Sequence, residues 1–227
     1  MKLFVVSDLH LETHTKPDVQ TMPHADVLVL AGNVGDFNHK LTREFLAHTT
    51  KKYKHVLFVP GNHEYWGKMK DTQMDEICTQ YGILMLQNKM VEIEGVTFAG
   101  TTLWSDIRNA TPRCVGFQND FKFIADFSPK VYTSYFETAI AFLDTVQPDV
   151  VITHHAPLMQ AIPSTHINSS AKFHATHLLP LKHKPKVWCF GHTRHTFCKQ
   201  IQGTTFVSNP YMDTDYCKCM NTNILTL

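Results

Sequence analysis

The feature that most constrains this chain is a series of short apolar, β-branched runs: "KLFVVS" (2–7), "DVLVLA" (26–31), "HVLFVP" (55–60), "VTFAG" (96–100), "DVVITH" (149–154), "KVWCFG" (186–191) and "TTFVSN" (204–209). Continuous apolar strands of this kind suit a sheet buried on both faces. Helix-like stretches lie between them, clearest in "KLTREFLAHTTKKY" (40–53), "KMKDTQMDEICTQY" (68–81) and "SYFETAIAFLDTVQ" (134–147), with stops near Gly82 and Pro148. The alternation predicts a layered α/β protein. Around "ILML", "MVEIEG" and "VTFAG" the runs follow one another on tight turns, so part of the sheet is expected to be antiparallel.

A chain of 227 residues supports one sizeable core, and a single domain over 1–227 is expected. With 43% hydrophobic and 18% charged residues and a formal net charge of +1, the composition argues against a disordered chain, an acidic tail and a broad nucleic-acid-binding surface. A small nucleotide pocket stays open. In "MKLFVVSDLHLE", Asp8, His10 and Glu12 interrupt the apolar run before a signal-peptide core is complete. No segment approaches a membrane span, and a cytoplasmic location is expected. The six cysteines are scattered, which favours reduced thiols over a disulfide framework, and the "CKC" at 217–219 has no second pair to complete a soft-metal site. Two irregular polar stretches, 101–130 and 155–176, are expected to be ordered loops over an active site. Their aromatics Trp104, Phe117, Phe121, Phe123 and Phe127 are candidates to stack a base.

Polar clusters close the strands: "SDLHLE", "GNVGD", "GNHEY", "THHAP" and "GHTRH". Ligands of open α/β sheets bind beyond the carboxyl ends of strands, so these clusters are expected to converge. Asp8 and His10 stand two residues apart, and extended-chain alternation puts both on one side, as two ligands of one cation require. Gly32 and Gly61 allow sharp turns that leave Asn33 and Asn62 over the rim. His63, next to Asn62, points elsewhere and is better placed as a proton donor. Asp36 is a candidate to accept from that imidazole and raise its pKa. His154 and His155 close one strand, and one of them is a candidate ligand while the other touches substrate or fills the rim. Between His192 and His195 the spacing does not choose.

The ordered set "DLH", "GNVGD", "GNHE", "THH" and "GHTR", spanning residues 8–194, resembles the calcineurin-like metallophosphoesterases, whose pattern is D-x-H, G-D-x-x-D, G-N-H-D/E, a strand-end His and G-H-x-H. "VWCFGHTRHTFCKQIQGTTFVSNP" is similar to the closing region of their small bacterial and viral members. The resemblance implies a four-layer α/β/β/α sandwich of two mixed sheets flanked by helices, and metal-dependent hydrolysis of small phosphate mono- or diesters, nucleotide esters among them. By motif position, Asp8 and His10 would hold a first metal, Asn62, His154 and His192 a second, and position 33 would bridge the two. His63, steadied by Asp36, would protonate the leaving group. The metals would be one or two divalent or trivalent ions, Mn, Fe or Zn.

Two positions depart from the pattern. Asn33 stands where the family has its bridging Asp, and Arg194 where it has its last His. An amide brings no charge to screen two cations, and an arginine cannot ligate, so both changes weaken the first metal site. Arg194 is then expected to pair with Asp8 or grip a substrate phosphate, with His155 as a second substrate contact. Two readings follow: a phosphoesterase with an altered metal centre, or a phosphoesterase-like binding or scaffold module without turnover. The sequence carries no sign of oligomeric state.

Overall fold

The computed structural model describes residues 1–13, 19–163, 171–179, 181–211 and 225–227. The "CKC" cysteines lie outside them, and Cys78, Cys114, Cys189 and Cys198 are free thiols. Each apolar run becomes a strand, giving β1 (Lys2–Val6), β2 (Val27–Leu30), β3 (His55–Phe58), β4 (Leu84–Met85), β5 (Lys89–Ile93), β6 (Val96–Thr101), β7 (Val150–Thr153), β8 (Val187–Phe190) and β10 (Thr204–Ser208), while β9 (Phe197–Ile201) and β11 (Leu225–Thr226) arise outside those runs. They form two mixed sheets, ordered β11-β1-β2-β3-β4 and β5-β6-β7-β8-β10-β9. The interior pairs of both sheets are parallel, with β11, β5 and β9 antiparallel at the edges.

The expected antiparallel turn joins β5 to β6. The "ILML" run does not belong to it: β4 returns through a helix to lie parallel to β3 in the first sheet. A helical crossover between neighbouring strands gives parallel pairing, and a tight turn gives antiparallel pairing.

Strand alternation divides the core. Leu3, Val5, Val27, Val29 and Leu57 of the first sheet meet Phe98, Val150, Ile152 and Val187 of the second in one buried layer. Their sequence neighbours Phe4, Val6, Leu28, Leu30 and Phe58 turn outward to the helices. Both faces are covered, so the strands are continuously apolar. The result is the expected four-layer order of helix, sheet, sheet, helix.

On the first sheet, helix α1 (Lys40–Lys52) buries Thr42, Phe45, Leu46 and Thr49, spaced to form one stripe. Helix α2 (Asp71–Tyr81) buries Met74 and Cys78 and ends where Gly82 takes the left-handed conformation that a side chain resists. The 101–130 stretch is more regular than expected, holding α3 (Pro112–Gly116) and α4 (Asp120–Phe123). Helix α5 (Pro129–Thr145) starts earlier than its apolar periodicity predicts, because the Ser128 hydroxyl accepts from Val131 N–H and Pro129 occupies the first turn. Its Tyr132, Phe136 and Ala139 enclose the second sheet. Among the described residues, no helix is long and apolar enough to cross a membrane.

Parallel strands bring their carboxyl ends to one edge, and the two sheets are joined there. Ser7 N–H donates to Asn209 carbonyl (3.2 Å), Tyr211 N–H to Ser7 carbonyl (2.8 Å) and Asn209 Nδ2 to Val5 carbonyl (2.8 Å). Gly32, after β2, has φ +86°, and a Cβ on it would overlap the His154 ring and the Gly61 backbone. Gly32→Ala is therefore expected to destabilise the fold by about 2 kcal/mol or more, with left-handed strain alone supplying about 1–2 kcal/mol. The midpoint of denaturant unfolding measures it, and an unchanged midpoint would contradict this packing.

Candidate metal centre

The loops after β1, β2, β3, β7 and β8 are laced by backbone hydrogen bonds. Asp8 N–H donates to Gly32 carbonyl (3.0 Å), His10 N–H to Asn33 carbonyl (3.0 Å) and Gly191 N–H to His154 carbonyl (2.9 Å). Five site residues take left-handed backbone: Asp8 (φ 57°), His10 (45°), Asn33 (54°), His192 (64°) and Arg194 (51°). Such strain gathers at sites that the surroundings over-determine. It also corrects one expectation: β1 ends at Val6, so Asp8 and His10 are placed by tight turns and not by strand alternation.

Three side chains form the best-defined part of the site. His154 Nδ1 faces the Ala31 carbonyl (2.9 Å), and His192 Nε2 faces the Phe173 carbonyl (3.1 Å). A carbonyl only accepts, so each of these nitrogens carries the proton and the opposite nitrogen carries a lone pair. Asn62 gives its Nδ2 to Asp120 Oδ1 (2.7 Å), which turns its Oδ1 the other way. His154 Nε2 consequently meets Asn62 Oδ1 at 3.2 Å and His192 Nδ1 at 3.1 Å with no proton among them. Three converging lone pairs are satisfied by a cation. Ligands about 2.0–2.2 Å from an ion stand about 3 Å or a little more from one another, which both distances from His154 Nε2 match. Burial pushes both imidazoles below the ordinary histidine range, His192 well below it with help from neighbouring histidines, which keeps them in the neutral form that ligates.

The other half of the site departs from expectation. Asp8 is engaged in three hydrogen bonds: Oδ2 accepts from Ser7 Oγ (2.6 Å) and His192 N–H (3.0 Å), and Oδ1 from Asn33 Nδ2 (3.4 Å). Asn33 Oδ1 accepts from His63 N–H (3.0 Å). Arg194 is exposed and, among the described residues, makes no ion pair with Asp8; it lines the cleft instead. Asp36 does not reach His63. It is exposed and its carboxylate accepts from Asn38 N–H (2.8 Å), forming an ordinary local turn. The carboxylate beside His63 is Glu12, whose Oε1 lies 3.9 Å from His63 Nδ1 and 3.5 Å from His10 Nδ1. The expected rise in the His63 pKa is reversed: burial, then the His10 charge, pulls it down to about 3 against the pull of Glu12. His155 is fully buried behind His192, with its Nδ1 3.3 Å from Thr102 carbonyl, and does not line the cleft. His195 is exposed outside the cleft.

Two buried carboxylates organise the site: Glu64, the last residue of the "GNHE" cluster, and Asp120, which no motif marks. Glu64, 3% exposed, accepts from Gly61 N–H (2.6 Å), Asn33 N–H (2.9 Å) and Gly35 N–H (3.1 Å), tying the loops after β2 and β3 together. Burial pushes it up to about 7, against those three bonds. Asp120 receives both Asn62 Nδ2 and Trp66 Nε1 (2.8 Å), and the Trp66 ring stacks on His63 with centroids 3.6 Å apart. Asp120 thus sets a ligand and the ring beside it.

The cleft above has a volume of about 430 Å³, with Asn33, Asn62, His63, Trp66, Phe117 and Arg194 on its walls. Of the loop aromatics Trp104, Phe117, Phe121, Phe123 and Phe127, Phe117, 69% exposed, faces it. Trp104 and Phe127 are buried against Tyr132, and Phe121 packs beside them. Phe123 leans on Trp66.

Residues 1–195 match the model of the calcineurin-like phosphoesterases. The chain belongs to the calcineurin-like phosphoesterase family. Metal-dependent phosphoester chemistry is the family's activity. This calcineurin-like chain is 27% identical over 236 residues to an uncharacterised protein of Acanthamoeba polyphaga mimivirus, covering 84% of each. Its fold is similar to that of the phosphopantetheinyl hydrolase of Mycobacterium tuberculosis, at 17% identity, TM-score 0.76, and 92% and 89% coverage of this chain and that one. A Thermus thermophilus protein shares the fold at 13% identity and TM-score 0.55, with 92% and 88% coverage.

The Glu64 clamp is testable. Glu64→Ala leaves three buried amides without an acceptor at about 1–3 kcal/mol each, so a loss of about 3 kcal/mol or more in chemical denaturation is expected. Glu64→Gln keeps acceptor oxygen and is expected to lose less. Equal stability of Glu64→Ala and wild type would contradict the clamp.

Proposed function

We propose that this chain is a metal-dependent hydrolase of small phosphate esters whose best-formed ion site is Asn62, His154 and His192. The convergence of three lone pairs there, with tautomers fixed by Ala31 and Phe173, carries the reading. A bound ion supplies Lewis-acid polarisation of a phosphoryl oxygen and a lowered pKa for the attacking water. Two imidazoles and an amide suit Mn, Fe or Zn. The whole chain, 1–227, acts as a single cytoplasmic domain in this reading.

The protein groups have separate tasks. Asp120 holds the Asn62 oxygen toward the ion position, a kind of support whose removal weakens metal binding about 10–100-fold. Arg194 offers a fork of donors to phosphate oxygens from the cleft wall. His63, held flat against Trp66 and kept neutral by burial, offers its ring N–H as a hydrogen bond to the leaving oxygen. Phe117 and Trp66 offer faces to an aromatic ester group, which favours a nucleotide-derived substrate.

A second reading has support from Asn33, whose Nδ2 points at Asp8 where the family places a bridging anion. In it the chain binds a phosphate ester without turnover. Assay of aryl phosphate mono- and diesters after chelation and re-addition of Mn²⁺ or Zn²⁺ separates the two. Ion-dependent turnover is expected in wild type, lowered about 10²–10⁴-fold in His63→Ala, with Arg194→Ala raising KM more than it lowers kcat. Turnover absent in wild type and gained in the Asn33→Asp, Arg194→His double variant would establish the second reading instead.

A further inference from the structure

We propose that a second metal ion binds at His10, Glu12 and His63, displaced from the position where the family's bridging carboxylate would hold it. The inference rests on the hydrolase reading, since both ions would border one cleft. One ligand atom from each of His10, Glu12 and His63 lies within 4.8 Å of the other two. Glu12 Oε1 is 3.5 Å from the first nitrogen and 3.9 Å from the second. Ligand atoms about 2.0–2.2 Å from one ion stand about 2.9–4.2 Å apart, so these separations are those of a shared ion. The His10 and His63 rings meet edge to face with centroids 4.4 Å apart, which brings both nitrogens toward the same carboxylate.

The family's own position does not fit an ion in this chain. Asp8 accepts hydrogen bonds on both oxygens, one of them from the Asn33 amide nitrogen, and a donor aimed into a site opposes a cation. Arg194 adds permanent charge on the cleft wall. The missing anion has a substitute four residues beyond Asp8: Glu12 uses its Oε2 to accept from Asp36 N–H (3.3 Å), leaving Oε1 toward the two imidazoles.

The donor set selects the ion class. Two imidazoles and one carboxylate with open positions are the ligands of catalytic Zn²⁺ and of non-haem Fe²⁺ sites, and nitrogen-rich sets disfavour Mg²⁺ and Ca²⁺. An imidazole that ligates through Nδ1 keeps its N–H at Nε2, so His63 retains a proton to donate.

The test is ion stoichiometry. Full-length metal-free protein is titrated with Co²⁺, followed by calorimetry and by the visible Co²⁺ absorption, in wild type, Glu12→Gln and His154→Ala. Two ions per chain are expected in wild type and one in each variant, with different residual spectra because different sites remain. Retention of two ions in Glu12→Gln overturns the proposal. A single wild-type ion that is lost in His154→Ala also overturns it and leaves the Asn62 site standing. Absence of any ion overturns both. Circular dichroism establishes that each variant is folded, and His10→Gln, expected to lose the same ion, replaces Glu12→Gln if that variant does not fold.

Discussion

The rim of this protein depends on one buried carboxylate, Glu64, which takes three backbone amides from two loops and fixes Asn33 and Gly61 against each other. Every polar group nearby inherits that geometry. Asn33 then receives the His63 amide on its oxygen and turns its nitrogen to Asp8. A Cβ on Gly61 would overlap the Asn33 side chain, so the two loops tolerate no spacer. A charge held by three amides in a dry place is a rigid element, because releasing it strands all of its partners.

The candidate metal-binding half is set by a different device. Carbonyls of Ala31 and Phe173 dictate which nitrogen of His154 and His192 bears the proton, and Asp120 dictates which way the Asn62 amide lies. None of these supports touches the candidate ion position. They aim lone pairs at it, and the aim costs nothing further when an ion arrives. The opposite half lacks that organisation at Asp8 and Asn33, where hydrogen bonds take the place of ligation.

Much of the fold was legible because burial on both faces writes long apolar runs into strands and stripes into helices. Structure and sequence part where short elements follow a choice that local sequence leaves open. The Leu84–Met85 strand reads like its antiparallel neighbours, yet the helix before it decides its pairing. Family position points to Asp36 as the partner of His63, but three-dimensional proximity gives that place to Glu12. Asp120 sits in an irregular stretch with no motif, and only the folding of α4 over the rim brings it to Asn62.

The sequence by itself determined the strand-end clusters, their order, and the identities of Asn33 and Arg194 where the family has Asp and His. Composition and spacing suffice for those because they are properties of the chain. Only the tertiary structure decided the tautomers, the hydrogen bonds on Asp8, the burial of His155 and the meeting of Glu12 with two imidazoles. Each depends on atoms from distant segments approaching within hydrogen-bond or ligand range, and sequence distance carries no record of that approach.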